Sequence, residues 1–478
     1  MNIRIFARLT LLYWILSCSI ITSAQEPSNF RIRNSTIISN NNQLPLWFHA
    51  NQHGKVQATN QYLNISEIFI SNSATERKVN IISWNWGGEV IYAFGNDNYL
   101  QINQAYTGIS FNGWALKGGL FYDPVLYAGL SSTNGNLVRS GNARPHPNLR
   151  FYNNNYKPLA FIAEWLYFKF EFDEGLLEDD RYVENTHLHH KSLYLLIKSK
   201  KSWDAAFGIE HYVMWGGTSQ DPKIGRFPIS FGQYLRYIFS IPGGSNNSQE
   251  HDKGNVSGNH VSTYQLAYSK YLDKLDISFY LSHPFENHPG LTWKNWPDNL
   301  IGVHVSVKNK TKLINDFVYE VINTRHQNLK NDFVTNEGDE EWMHDLYEDY
   351  FVHLLYKSGF TYHHNSMGSP LFFPVVQRTD EISNTWFSLQ SNRFFAHHVG
   401  ISGHLSEAIK WKGLLTYIEH LGTIPNPYEF KHKQLSGLLD IQYINNKFPV
   451  QVSFSIAFDS GNSVNSNLGV QLSVTKEW

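Results

Sequence analysis

Two charged blocks and one indole carry the side chains best suited to chemistry in this 478-residue chain. The candidate site residues are Arg139, Asn142, Arg144, Glu178, Asp179, Asp180, Arg181 and Trp215. Guanidinium and carboxylate groups form bidentate pairs that can cross-link a polar protein interior. The same groups can bind sugar hydroxyls or uronic acids, with the indole as a stacking face, and acidic sugars would favour the arginines. Both interpretations stay open at this point.

Other reactive residue types lack the partners that catalysis or metal binding requires. His187 and His189 fall on one strand face near Glu184, but a metal site needs three or four ligands with a supporting shell, and the spacing does not supply them. His364 and Ser366 lie two residues apart without an orienting acid or an oxyanion hole. Adjacent carboxylates on a strand point to opposite faces, so the second block does not form a glycosidase pair within a regular strand. We therefore expect no enzyme, no metal and no cofactor.

The last stretch of the chain shows which elements must position these residues. From Leu468 to Val474 every second residue is apolar, small or polar residues stand between them, and the chain ends on Trp478. A period of two predicts a β-strand with one apolar face. In a transmembrane barrel that face would contact lipid, with an aromatic residue at the interface.

The same alternation recurs along the chain, which makes the strand typical of the whole fold. The apolar residues of the repeats are Val450, Val452, Phe454, Ile456 and Phe458; Leu275, Ile277, Phe279 and Leu281; Ile301, Val303, Val305 and Val307; and Val399, Ile401 and Leu405. Helical periods are almost absent. The sequence therefore predicts an all-β fold, a single transmembrane antiparallel β-barrel of about 16 to 18 strands with long loops and few short helices.

Composition agrees with a barrel and excludes other classes. Aromatic residues make up 15% of the chain, yet only 17% is charged and the mean hydropathy is -0.37. Because apolar and polar residues alternate along barrel strands, the mean hydropathy of a barrel is low. Its aromatic residues are concentrated in two belts at the membrane interfaces. Aromatic platforms that stack on sugar rings are the rival explanation. The net charge of -2 gives no reason to expect nucleic acid as a partner.

The N-terminus predicts export. Arg4 and Arg8 precede an apolar run from Leu9 to Ile21, and Ala24 ends a stretch of small residues suited to cleavage. We predict a signal peptide over residues 1–24 and one barrel domain over residues 25–478. A membrane anchor or lipid attachment at Cys18 are the alternatives. Because Cys18 is the one cysteine of the chain, the exported protein has no disulfide.

Three irregular segments predict long loops, where a barrel usually carries its function. They cover residues 131–155, residues 215–253 and the acidic residues 328–350. The acidic segment can be a solvated surface loop or a loop that binds a cation or a partner.

Several motifs resemble the Wzi family of capsule assembly proteins. The more specific ones are the Ser140-Gly141-Asn142-Ala143-Arg144-Pro145 block and the Leu177-Glu178-Asp179-Asp180-Arg181 block. Weaker similarity follows in residues 189–194, 208–217, 283–286 and 357–363.

This resemblance covers most of the mature chain and implies a monomeric barrel of about 18 strands in the outer membrane of a Gram-negative bacterium. It further implies a non-enzymatic role in binding exported capsular or other surface polysaccharide and attaching it to the cell surface. The expected partners are that polysaccharide and outer-membrane lipid. A pore for sugars or small solutes is the alternative function.

Overall fold

A computed structural model provides the structure of the protein. It describes residues 28–72, 82–199, 202–241, 257–328, 348–381, 384–445, 450–463 and 466–478. The predicted signal peptide lies outside these ranges, as do residues 329–347 of the acidic segment and residues 242–253 of the loop that begins at residue 215.

The described ranges consist mainly of β-strands. The strands are β1 (Ser28–Ser39), β2 (Tyr62–Asn72), β3 (Ser83–Phe94), β4 (Tyr99–Phe111), β5 (Trp114–Leu120), β6 (Asn148–Asn153), β7 (Lys157–Pro158), β8 (Leu166–Leu177), β9 (Val183–Glu184), β10 (Thr186–Lys198), β11 (Trp203–Trp215), β12 (Thr218–Ser219), β13 (Asn259–Tyr271), β14 (Leu275–Phe285), β15 (Asn299–Val307), β16 (Asp316–Asn323), β17 (Thr361–Tyr362), β18 (Asn365–Ser366), β19 (Val375–Thr379), β20 (Thr385–Leu389), β21 (Phe394–Ser406), β22 (Ile409–Gly422), β23 (Pro427–Tyr443), β24 (Gln451–Gly461) and β25 (Asn467–Glu477). The helices are α1 (Leu46–His49), α2 (Phe231–Ile238) and α3 (His288–Leu291), with one 3-10 turn at Tyr127–Gly129.

The long strands form one closed barrel. Each is antiparallel to its neighbours along the chain, and β1 pairs with both β2 and β25, which closes the wall. The two-residue β7 extends the line of β6 beside β8, so the wall has 18 strands. This confirms the predicted fold class. Closure satisfies the backbone hydrogen bonds of every strand and leaves no free edge in lipid.

The period-two pattern decides which side chains face lipid. On β25, Leu468 and Leu472 are 50% and 52% exposed on the outside, whereas Ser473 is 1% exposed on the inside. Phe454 on β24 likewise faces outward, and Asp459 faces inward. The repeats predicted from sequence at β14, β15 and β21 are also wall strands.

The two ends of the barrel differ in their connections. At the end where β1 begins and β25 ends, the wall strands are joined by short turns such as residues 112–113 and 407–408. We call it the turn end, and we call the opposite end the loop end because the long connections that follow β5, β11 and β16 leave the wall there. Outer-membrane barrels have short periplasmic turns and long extracellular loops, so the loop end faces outward.

The lumen is filled by a plug made of loops from the loop end, which consists of α1 with its flanking residues, residues 121–147 and residues 348–374. Leu130, Tyr350 and Phe372 of the plug are 0–1% exposed and form one apolar core with lumen-facing residues of the wall. On β21, a Cβ at Gly400 would overlap with the carbonyl oxygen of Leu130. Only glycine permits that close approach of plug to wall.

The strands β5 and β6 are shorter than β4, so the wall does not extend as far toward the loop end there. We call this gap the notch. β5 pairs with β4 from Ala105 to Phe111, so residues 99–104 of β4 extend beyond it toward the loop end. The first predicted loop, residues 131–155, was wrong at its C-terminal end, because residues 148–153 form β6. Their alternation of outward Leu149 and Phe151 with inward residues is a strand pattern that the loop interpretation overlooked.

Among the described residues, the longest helix is eight residues long, and none is both long and apolar enough to span a membrane.

Candidate functional site

Arg139 is held in an ion-pair network inside the barrel. Its guanidinium donates to both oxygens of Asp123 at 2.6 and 2.7 Å and to Glu171 at 2.8 Å. Arg150 of β6 binds the same Asp123 at 2.7 Å and Asp173 at 2.9 Å. Burial alone would raise the pKa of Asp123, but the two guanidiniums hold it well below its usual value. Arg139 thus fastens the plug to the wall at β8.

Arg144 lies five residues further on, at the notch, in a different environment. Its Nη2 donates to the carbonyl oxygen of Ile102 at 3.3 Å, on the part of β4 that extends beyond β5. Its Nη1 lies 3.4 Å from Nε2 of His363, and its buried Nε has no hydrogen-bond partner in the described protein. Within the described residues it forms no ion pair. Behind it lies a cavity of about 80 Å³, lined also by Arg139 and His146.

Arg181 is fully buried and connects the loop after β8 to the plug segment of residues 348–374. It lies 3.2 Å from Asp179 and donates to the carbonyl oxygens of Gly359 and Thr361, both at 3.2 Å. Asp179 in turn accepts the backbone N–H of His363 at 3.0 Å. The neighbouring Asp180 and Glu178 are exposed. Burial lowers the pKa of Arg181, an effect that Asp179 opposes.

A tight hairpin presents two histidines beside Arg144. Strands β17 and β18 are joined by His363 and His364, whose φ angles of 45° and 62° fit a type I′ turn. That turn normally carries Asn-Gly, because other residues are strained at positive φ. The ring of His364 stacks on Phe387 of β20, with centroids 3.7 Å apart.

These groups form the mouth cluster, which consists of Arg144, Glu178, Asp180, His363 and His364. Burial and the charge of Arg144 lower the pKa of His363 to about 4, and burial also lowers the pKa of His364. Both imidazoles are therefore neutral near pH 7 and can donate or accept hydrogen bonds. The cluster thus offers a guanidinium, two carboxylates and two neutral rings at the outer end of the plug.

Two other candidates from the sequence lie away from the mouth cluster. Asn142 is buried and bridges plug segments, accepting from the backbone N–H of Asn51 at 3.4 Å and donating to the carbonyl oxygen of Ser366 at 3.0 Å. Trp215 is 8% exposed on the outside of the barrel, stacked on His187 and covered by α2. The structure therefore brings Arg144, Glu178 and Asp180 together and separates them from Trp215.

One further cluster has the ligand types of a metal site. The ligand atoms of Glu171, Asp173 and His190 lie within 4.8 Å of one another in the lumen. Arg139 and Arg150 already bind these two carboxylates, so the cluster is part of the ion-pair network. Sequence reasoning missed it because its members come from adjacent strands.

Sequence reasoning also missed a group of buried carboxyls under the loop end. Glu348 accepts the backbone N–H groups of Glu286 and Gly290 at 2.6 and 2.7 Å, and Glu286 accepts that of Phe351 at 2.6 Å. Burial raises the pKa of Glu348 to about 7 and that of Asp298 to about 6. The sequence signal for this group was the acidic segment of residues 328–350. Glu348 is one of the residues of that segment that the structure describes.

The chain matches one protein family and several solved structures. The family described as "Capsule assembly protein Wzi" matches residues 28–389. A solved structure of Wzi from Escherichia coli, described as an outer membrane protein involved in group 1 capsule assembly and a carbohydrate-binding β-barrel, is 13% identical. The match covers 93% of this chain and 83% of that chain, with a TM-score of 0.60. No curated protein matches the sequence.

Two further solved structures are more remote. OccK5 (OpdH) of Pseudomonas aeruginosa is 7% identical, with 94% and 97% of the two chains covered and a TM-score of 0.48. OccAB4 of Acinetobacter baumannii is 10% identical, with 96% and 100% covered and a TM-score of 0.45.

The closed wall, the lipid-facing apolar belt and the loop plug define an outer-membrane β-barrel of a Gram-negative bacterium. Because the family match extends over more than half of the chain, the protein belongs to the Wzi family of capsule assembly proteins.

Proposed function

We propose that the protein binds exported capsular polysaccharide at its mouth cluster and helps attach it to the cell surface. The similar protein from Escherichia coli is described as carbohydrate-binding and involved in group 1 capsule assembly. The observation that carries the proposal here is Arg144, a half-buried guanidinium without a carboxylate partner in the described residues. Such a group favours an acidic sugar, whose carboxylate would supply the missing charge.

The neighbouring groups suit a sugar chain. The neutral rings of His363 and His364 can hydrogen-bond hydroxyl groups, and the exposed carboxylates of Glu178 and Asp180 can accept from them. The two carboxylates would at the same time discriminate against a chain of dense negative charge.

We propose that the protein acts by binding alone, as a monomer, without cleaving bonds. Ser366, the candidate nucleophile, is 1% exposed, and the ring of His364 stacks on Phe387 instead. The plug that fills the lumen favours an anchoring role over passage of solutes, since a pore needs a continuous water path.

The test is binding of the host's own capsular polysaccharide to purified protein in detergent. Arg144→Gln should weaken binding about tenfold, the size expected when a charge-assisted hydrogen bond is lost. Arg378→Gln is the matched control, because Arg378 is a half-buried guanidinium on β19 whose Nη2 donates to the carbonyl oxygen of Leu389 at 3.3 Å.

Equal binding by wild type and Arg144→Gln would refute the assignment of Arg144. No binding by any form, together with steady conductance in planar bilayers, would instead support a pore.

A further inference from the structure

The short helix α2 lies on the outside of the barrel near the loop end. The rings of Tyr234 and Tyr237 pack on Trp215, with centroids 5.1 and 5.7 Å away. Trp215 points outward, since its neighbour Met214 contacts Arg181 inside the barrel. The hydroxyl of Tyr234 donates to Glu174, and Nζ of Lys191 donates to the carbonyl oxygen of Ile238, both from outward positions on the wall. The helix thus covers polar residues that would otherwise contact lipid.

The side of α2 that faces away from the wall is apolar. Phe231 and Phe239 are 74% and 63% exposed, and Ile229 and Ile241 beside them are 45% and 44% exposed. Large apolar side chains in such a row mark contact with a membrane or a partner. Because the helix lies on the lipid-facing side at the loop end, these residues are at the level of the outer leaflet.

A pocket opens directly before the helix begins. It has a volume of about 300 Å³ and is lined by Asn185, His187, Gly217, Thr218, Arg226 and Ile229. Arg226 is exposed, and within the described residues its guanidinium has no side-chain partner. The pocket therefore places a free cation and polar donors beside the apolar row that starts at Ile229.

We infer that this pocket and α2 bind a phosphorylated, acylated lipid of the outer leaflet, with its phosphate on Arg226 and its acyl chains along Phe231 and Phe239. A guanidinium matches the oxygens of a phosphate group in a bidentate manner. An apolar row that continues from the pocket into lipid then fits the chains of the same molecule.

A protein partner fits this surface less well. The four exposed apolar residues are few compared with the roughly 20–30 residues that each side contributes to a standard interface. The exposed carboxylate of Glu184, on the strand that pairs with Thr218 of the pocket, repels an anion, so binding of the phosphate depends on the guanidinium of Arg226. The site lies outside the wall, whereas the mouth cluster lies at the plug, so the two assignments stand or fall separately.

The experiment measures binding of lipid A, a phosphorylated acylated disaccharide, to the full protein in detergent micelles by native mass spectrometry. Phosphatidylethanolamine is the zwitterionic comparison, and inorganic phosphate is the competitor without chains. The variants are Arg226→Gln, Phe231→Ser and the control Lys431→Gln, which removes a charge elsewhere on the outer rim at β23. A shifted band on unheated gels verifies that each variant is folded.

We expect lipid A to be retained by the wild type and the control, and to bind about tenfold more weakly to Arg226→Gln and Phe231→Ser. Phosphatidylethanolamine should be retained less by all forms, and millimolar phosphate should not displace lipid A. Equal retention of lipid A by wild type and Arg226→Gln would overturn the inference. Displacement by phosphate alone, or a dimer that Phe231→Ser disrupts, would overturn it in favour of a free anion or a second copy.

Discussion

Two arginines of one plug segment have opposite environments. Arg139 binds carboxylates of Asp123 and Glu171, while Arg144 contacts a carbonyl oxygen and an imidazole. A buried charge that already has its counter-ions resists new ligands, because a ligand would have to displace them. A half-buried guanidinium without a carboxylate counter-ion, such as that of Arg144, can bind a ligand without that loss. Arg139 is therefore a structural residue in our interpretation, and Arg144 is the binding residue.

Replacing Arg139 should destabilise the protein. Arg139→Gln removes a positive charge from beside the carboxylates of Asp123 and Glu171 in the lumen. Breaking a buried ion pair typically costs about 3–5 kcal/mol. We expect the lower end, because the network keeps Arg150 as a second cation. Thermal unfolding in detergent, read from the shift of the folded band, measures the change. Arg144→Gln should lower stability by less than about 1 kcal/mol, and an equal loss in both variants would contradict the distinction.

The histidine hairpin carries backbone strain at the mouth cluster. Each non-glycine residue at positive φ costs on the order of 1–2 kcal/mol. His363→Asn combined with His364→Gly supplies the residues that a type I′ turn prefers. We expect this double variant to be more stable by about 1–2 kcal/mol and to bind polysaccharide more weakly. Unchanged binding would show that the rings are not part of the site.

The sequence could predict residue types at the site but not their pairing. The sequence predicted that the arginines and carboxylates of the two blocks either cross-link a lumen or bind a sugar, and in the structure Arg139 and Arg181 form ion pairs with Asp123 and Asp179. The partners of Arg139 were not predictable, since the path of the plug loop places Asp123 beside it and the strand register places Glu171 there. Nor does local sequence reveal that α2 covers Trp215, because that contact depends on where a loop folds over the wall.

At the scale of elements, the loops from β14 to β15 and from β16 to β21 are joined by carboxyl groups. Glu286 and Glu348 accept backbone N–H groups of each other's segments, and Asp298 accepts those of His326 and Gln327 at 2.9 and 2.7 Å. Burial raises the pKa of each of these three carboxyls. The folded loops therefore bind protons more tightly than the unfolded loops.

The raised pKa values predict that these loops are more stable in mild acid. For Glu348, the contribution is complete below the ordinary pKa of 4.5 and is lost as pH rises through about 7. Hydrogen exchange at the backbone N–H groups of Glu286 and Gly290, corrected for intrinsic rates, should show more protection at pH 5 than at pH 8. Glu348→Gln should reduce this difference, and greater protection at pH 8 in the wild type would contradict the argument.

Strands with a clear alternation of apolar and polar residues could be predicted from the sequence, whereas segments without such a period could not. Alternation identified wall strands such as β24 and β25, because lipid on one side and a polar lumen on the other impose it directly. The plug loops have no period, and their conformation is set by contacts with the wall, such as the approach of Leu130 to Gly400. The boundary of β6 was missed because its Asn-rich ends resemble a loop.

At the scale of the whole molecule, the barrel and its plug depend on each other. The inward face of the wall carries polar residues that would otherwise line a wide aqueous channel. Glu320 of β16 shows the fit, since it accepts from the hydroxyls of Ser131 and Ser132 in the plug, both at 2.5 Å, and from Tyr280 at 2.8 Å. The plug stabilises this buried wall residue, because without the plug hydroxyls the carboxylate of Glu320 would have to be solvated by water.

Shortening the plug should therefore open the lumen. The side chain of Asn134 donates to the carbonyl oxygen of Pro124 at 3.0 Å and accepts from the N–H of Leu126 at 2.6 Å, so the tip of the loop begins and ends at nearly the same place. Replacing residues 125–134 by two glycines can close the chain there without moving the wall. We expect the wild type to be silent in planar bilayers and the shortened variant to conduct ions steadily, since water then reaches Glu320. Steady conductance already in the wild type would show that the plug does not seal the barrel and would weaken the case for an anchoring role.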